Sequence, residues 1–146
     1  SQGLVISLLT DKALYDVGSA DLRPATVGLL EQVGSVLRRT QPEIRVEGYT
    51  DNEPIHTSLY PTNWELSAAR AAGVTRFLVE HEHLNPAKVS LAGYGEWRPT
   101  HPNESPYGRQ LNRRVDIVVL AATASLGKQL IAPGAAAPIA TKAKRQ

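Results

Sequence analysis

IRVEGYTDNEPIHTSLYPTNWELSAARAAGVTRFL, residues 44–78, holds a strand, a long loop and a helix in one run. Ile44, Val46 and Gly48 alternate with Arg45, Glu47 and Tyr49, the period of a strand with one apolar and one polar face. From Asn63 the period changes. Leu66, Ala69, Gly73, Val74, Phe77 and Leu78 recur at helical spacing, with Asn63 as a candidate N-cap. Two charges interrupt this order. Asp51 follows the strand directly, and Arg70 lies inside the apolar stripe, four residues after Leu66 and four before Val74. A charge so placed needs a partner of opposite sign, from the protein or from a ligand.

Working outward, LVISLL (Leu4 to Leu9) is a short run of strand formers ended by Thr10-Asp11-Lys12, and Asp16-Val17-Gly18-Ser19 follows as a turn. Pro24 to Arg39 is predicted helical from Ala25, Leu29, Leu30, Val33, Val36 and Leu37, with Arg38 and Arg39 near its end and Pro42 closing it. Beyond the second helix, Asn85-Pro86 breaks the chain and Val89 to Tyr94 forms a third strand. A polar, proline-rich loop spans Glu96 to Gly108, and Arg114 to Leu120 is the last strand. The order βαβαββ predicts an α+β two-layer sandwich, two main helices on one face of a small mixed sheet. Residues 1–120 form the expected domain. Residues 121–146 are a low-complexity Ala/Pro/Lys-rich basic tail, expected to be flexible, with a candidate helical turn around Leu126 to Leu130.

Composition excludes several chemistries. There is no cysteine, so no disulfide framework, thiolate zinc site or thiol nucleophile is available, and the redox compartment stays open. The net charge of +2 hides a split: Lys128, Lys142, Lys144 and Arg145 stand in a tail without acids, which leaves the first 120 residues acidic. The folded part therefore lacks the basic stripe of a nucleic-acid binder, and no nucleic acid partner is expected. No apolar run is long enough to span a membrane, and SQGLVISLLTDK lacks the charge order of a signal peptide. A fragment of a larger anchored protein remains compatible with both facts.

The residues themselves leave alternatives open. Arg70 either snorkels along the helix flank or holds its guanidinium at the core edge, aimed at the loop of Asp51. In the second case the two charges are complementary handles for a zwitterion. Asp51, Asn52 and Glu53 could equally form a solvated turn; they lack the spacing of a calcium loop. Trp64 and Tyr60 are ordinary packing candidates. His81-Glu82-His83 places its imidazoles two apart, which suits a helical metal pair badly, and Gly93-Tyr94-Gly95 is a turn after a strand, not a dinucleotide fingerprint. Neither a Ser/His/Asp combination nor a Glu53/Glu65 carboxylate dyad is supported. At Asn112-Arg113-Arg114, one arginine is expected to pair with acids under the loop and the other to be solvated. No catalytic residue, metal or cofactor is expected.

Four ordered motifs carry a resemblance: G-Y-T-D at Gly48 to Asp51, N-x-x-L-S-x-x-R-A at Asn63 to Ala71, G-Y-G-E at Gly93 to Glu96, and N-R-R-V at Asn112 to Val115. Over about Gly3 to Leu120 the chain resembles the OmpA-like peptidoglycan-binding domain. Its TDNEPI and YPTNWELSAARA segments are similar to the periplasmic domain of the flagellar motor stator subunit MotB. The resemblance implies a noncatalytic wall anchor in which Asp51 and Arg70 hold the diaminopimelate part of a peptidoglycan stem peptide. It implies that Asn63 lines the same pocket, with Thr50, Asn52 and Leu66 around it and Arg113 in support. Tyr49 stands where the family often has histidine. Also implied are a homodimer, a stator A subunit reached through a transmembrane part, contacts with flagellar basal-body ring proteins, and a periplasmic place in a single-pass inner-membrane protein. A wall anchor of another envelope complex, of OmpA or Pal type, is the alternative.

Overall fold

The computed structural model describes residues 3–10 and 14–120; the tail from Ala121 onward, its candidate helical turn, and Asp11-Lys12 lie outside the described residues. The elements run β1 (Leu4–Leu9), α1 (Pro24–Thr40), β2 (Ile44–Tyr49), α2 (Asn63–Glu80), a 3-10 turn (Pro86–Lys88), β3 (Val89–Gly93), α3 (Pro106–Asn112) and β4 (Arg114–Val119). The sheet order is β1-β4-β2-β3. β2 and β3 are parallel, while β4 is antiparallel to both β1 and β2. The fold is the expected α+β sandwich, with one helix more than the sequence suggested.

The period-2 pattern of β2 becomes geometry. Ile44 and Val46 are buried on one face with Val115, Ile117, Val119 and Leu8, against Leu30 and Leu37 of α1 and Ala71, Val74 and Leu78 of α2. Gly48 and Gly93 let α2 lie close. A Cβ on Gly48 would collide with the Ser67 carbonyl, and one on Gly93 would sit 2.6 Å from the Ala68 nitrogen. α1 turns differently from its apolar count: Thr26, Leu30, Gly34 and Leu37 are buried, whereas Leu29 and Val36 are exposed.

The opposite face is a buried polar network instead of a solvated surface. Glu47 accepts from Arg45 Nε and from the Tyr49 hydroxyl, both at 2.6 Å. Asp116, opposite Glu47 in register, takes Arg114 Nε at 3.1 Å and the Ser7 hydroxyl at 2.7 Å. Arg114 also lies 3.9 Å over the Tyr49 ring, which stacks on Tyr94 at 5.2 Å. Burial, then the bond to Glu47, pushes the Tyr49 hydroxyl well above its ordinary range. Arg114 is thus buried and paired, and Arg113 pairs with an acid too, so neither is left to solvent as one of the two was expected to be.

Two local corrections concern helix starts. The N-cap of α2 is Thr62, not Asn63: a capping box joins Thr62 and Glu65, which frees the Asn63 side chain for other bonds. α3 begins inside the expected loop, because Ser105 caps it through the Gly108 N–H at 2.9 Å and Pro106 suits its first turn.

Candidate functional site

The end of β2, the start of α2 and the start of β4 meet at one end of the sheet. A cavity of about 480 Å³ opens there, lined among others by Thr10, Tyr15, Thr50, Asp51, Asn63, Leu66, Arg70 and Arg113. That volume is in the range of small-molecule sites. The sequence candidates Thr50, Asp51, Asn63, Leu66, Arg70 and Arg113 therefore share one cavity, while Asn52 is exposed and outside its lining.

Thr50 and Asp51 are placed by the strand end. The Thr50 N–H donates to the Gly95 carbonyl at 2.9 Å, and the Thr50 hydroxyl donates to the Asp51 carbonyl at 2.8 Å. The buried Asp51 carboxylate accepts the Glu53 N–H at 3.0 Å on one oxygen and pairs with Arg113 Nη1 on the other. Asn63 Nδ2 donates to the Glu53 carbonyl at 3.0 Å and to Glu96 at 3.4 Å, which ties the loop after β2 to the loop after β3.

Arg70 is buried, and its guanidinium does not bond to Asp51. Nε donates to the Ser19 carbonyl at 2.8 Å, Nη1 to the Thr10 hydroxyl at 3.3 Å, and Nη2 to the Asp16 carbonyl at 3.4 Å. Its central carbon sits 4.7 Å over the Tyr15 ring. These partners are all uncharged. Burial lowers the Arg70 pKa from its ordinary value, with the Tyr15 and Asp51 neighbours acting the other way; arginine still remains charged at physiological pH. Each carboxylate lining the cavity already faces a different arginine: Asp16 has Arg23, Asp51 has Arg113 and Glu53 has Arg109. Among the described residues Arg70 has no carboxylate partner.

The cage around Arg70 was not among the sequence candidates. Tyr15 is almost fully buried, its hydroxyl has no hydrogen-bond partner among the described residues, and burial raises its pKa to about 12 against the lowering effect of Arg70. Asn112 is a second omission. Fully buried, it receives the Thr100 and His101 N–H groups at 3.0 and 3.1 Å and donates to the His101 carbonyl at 2.8 Å. It thereby pins the loop before α3 beside Arg113. Its place in N-R-R-V was the only signal for it.

Comparisons with known proteins agree with the fold. A model described as the OmpA family matches residues 14–113. Motility protein B of Bacillus subtilis is 36% identical over 82% of this chain, and the match covers 46% of that relative. The cell wall anchor of the type VI secretion system from Pseudomonas aeruginosa superimposes with a TM-score of 0.74 at 34% identity, covering 80% of each chain. The periplasmic domain of Helicobacter pylori MotB gives 0.72 at 25% identity, covering 90% of this chain and 88% of that one. The chain spans about half the length of the curated relatives it matches. With the family model covering most of the sandwich, including both the cavity loop and the Arg70 helix, this chain belongs to the OmpA family.

Proposed function

We propose that this domain is a noncatalytic peptidoglycan anchor of a flagellar motor stator, and that the cavity grips the diaminopimelate part of a stem peptide. The observation that carries the reading is Arg70: a buried guanidinium on a shared cavity, held among the described residues by neutral oxygens and a ring face. A buried cation without a counter-charge favours an incoming carboxylate, which guanidinium can grip in a two-pronged manner. Asp51, shared with Arg113, is the acceptor for the ligand ammonium, and Asn63 and Thr50 supply neutral polar contacts. Asn52, outside the lining, is left at most an edge contact. The similarity to motility protein B and to the MotB periplasmic domain supports the stator assignment.

On this reading the domain sits in the periplasm as part of a single-pass inner-membrane protein. It works as a homodimer, meets the stator A subunit through a membrane part and faces basal-body ring proteins. One cavity binds modestly, because desolvating the charges offsets much of their attraction, and two or more anchors add avidity. The test is co-sedimentation with purified sacculi for Arg70→Lys and Asp51→Asn, each checked for folding by circular dichroism. Undiminished binding by both folded variants refutes the cavity.

The likeness to the type VI cell wall anchor favours a second reading, a wall anchor of another envelope machine. Grafting this domain onto a stator B subunit that lacks its own separates the two. Restored swimming supports the stator; sacculus binding without motility supports the other machine.

A further inference from the structure

Both tryptophans of the chain, Trp64 and Trp97, are on the surface, 49% and 66% exposed. Large exposed aromatic rings mark interaction sites more often than chance. Both lie at the turn that follows β3. The Trp64 ring lies against Gly95, 3.6 Å from where a Cβ would stand, and Trp97 follows two residues later in the same turn, its N–H reaching the Tyr94 carbonyl. That turn is held on α2 by the Gly95 N–H, which donates to the Ser67 hydroxyl at 3.0 Å. Asn63 joins the pair to the cavity, since its amide bridges the Glu53 carbonyl on the cavity side and Glu96, the neighbour of Trp97.

We infer that Trp64 and Trp97 form a sugar-binding rim beside the cavity, on which the pyranose rings of the glycan strand stack while the cavity holds the attached peptide. The inference rests on the peptidoglycan reading above and extends it from the peptide to the polysaccharide. The rim is suited to a sugar more than to a protein. The charged residues Glu65, Glu96 and Arg98 neighbour the two tryptophans in sequence, whereas the centre of a protein interface is apolar and depleted of charge. A pyranose has a C–H face for an aromatic ring and hydroxyls at its edge for flanking polar groups. The rim needs both.

The chain's tryptophan fluorescence arises from these two residues alone, so it reports the rim directly. The domain is titrated with peptide-free glycan strands, and sacculus and free stem-peptide binding are measured for the Trp64→Ala/Trp97→Ala double variant and its Phe counterpart. Glycan strands are expected to shift the emission. The alanine variant should lose about tenfold in affinity for sacculi, keep stem-peptide binding within about twofold, and be largely rescued by phenylalanine. Unchanged emission overturns the inference, as does undiminished sacculus binding or an equal loss for the stem peptide. Failure of the cavity reading is distinguishable: Arg70→Lys then binds stem peptide and sacculi like the parent, while the emission response to glycan strands is read independently.

Discussion

Asp51 is bonded to Arg113, sixty-two positions away, and not to Arg70, although all three line one cavity. This links the loop after β2 to the start of β4 and leaves the Arg70 charge for something else. Arg113 is one-third exposed, and Asp51 keeps its bond from the Glu53 N–H. Arg113→Ala should therefore cost about 1–3 kcal/mol, the range for an orphaned polar partner, instead of the larger loss of a fully buried pair. Urea unfolding of the two proteins measures it.

Arg70 fastens the segment between β1 and α1 by its three donors to Ser19, Thr10 and Asp16. A lysine ammonium is a single point and lacks the fork to span them. Arg70→Lys should lower stability by about 1–3 kcal/mol and speed amide hydrogen exchange over residues 14–20 more than in the sheet. Equal protection in both proteins would show that the cage does not depend on the fork.

Tyr15 offers a pH test. Its folded-state pKa, about 12, lies above the unfolded value near 10, so the hydroxyl's contribution is complete below about pH 10. It is lost as pH rises through about 12, because only the unfolded chain then ionises freely. Tyr15→Phe removes a buried hydroxyl without a partner and should change stability by less than about 1 kcal/mol at pH 7. Between pH 10 and 12 the phenylalanine variant should become the more stable one, by a margin that grows with pH. Urea midpoints at pH 7 and pH 11 check both signs.

Two glycines should respond oppositely to alanine. At Gly48 the new Cβ meets the Ser67 carbonyl, a backbone atom that cannot swing aside, and a loss of about 1–3 kcal/mol or more is expected. At Gly28, in the interior of α1, a Cβ meets nothing within 4 Å, so alanine should add about 0.5–1 kcal/mol. Melting curves of the two variants should move in opposite directions.

Elements with one clean signal were legible in the sequence. β1 matched its apolar run, and β2 and α2 followed their periods. α1 was read as broader than it is, because close approach at Thr26 and Gly34 decides its buried face, not the number of apolar residues. At α2 two good capping residues stand side by side, and the glutamate three after Thr62 chooses between them; that signal was present and outweighed by Asn63. α3 was hidden because Glu96 to Gly108 reads as a polar, proline-rich loop, when a proline after a serine also opens a helix. At the site, periodicity marked Arg70 as out of place. Its actual partners include the carbonyls of Asp16 and Ser19, and no side-chain pattern announces a backbone oxygen.

The pairing of the first strand with the last gives the domain a mechanical direction. Leu4 lies opposite Val119 at one end of β1, while Thr10, just past its other end, lines the cavity. A pull entering through the chain before Leu4 and resisted at the cavity, as the proposed anchoring requires, runs along β1. Its rungs to β4 are then stressed together in shear, not peeled one after another, which is the stiff way to strain a pair of strands. Tension between these two points thus loads the β1–β4 pair along its length.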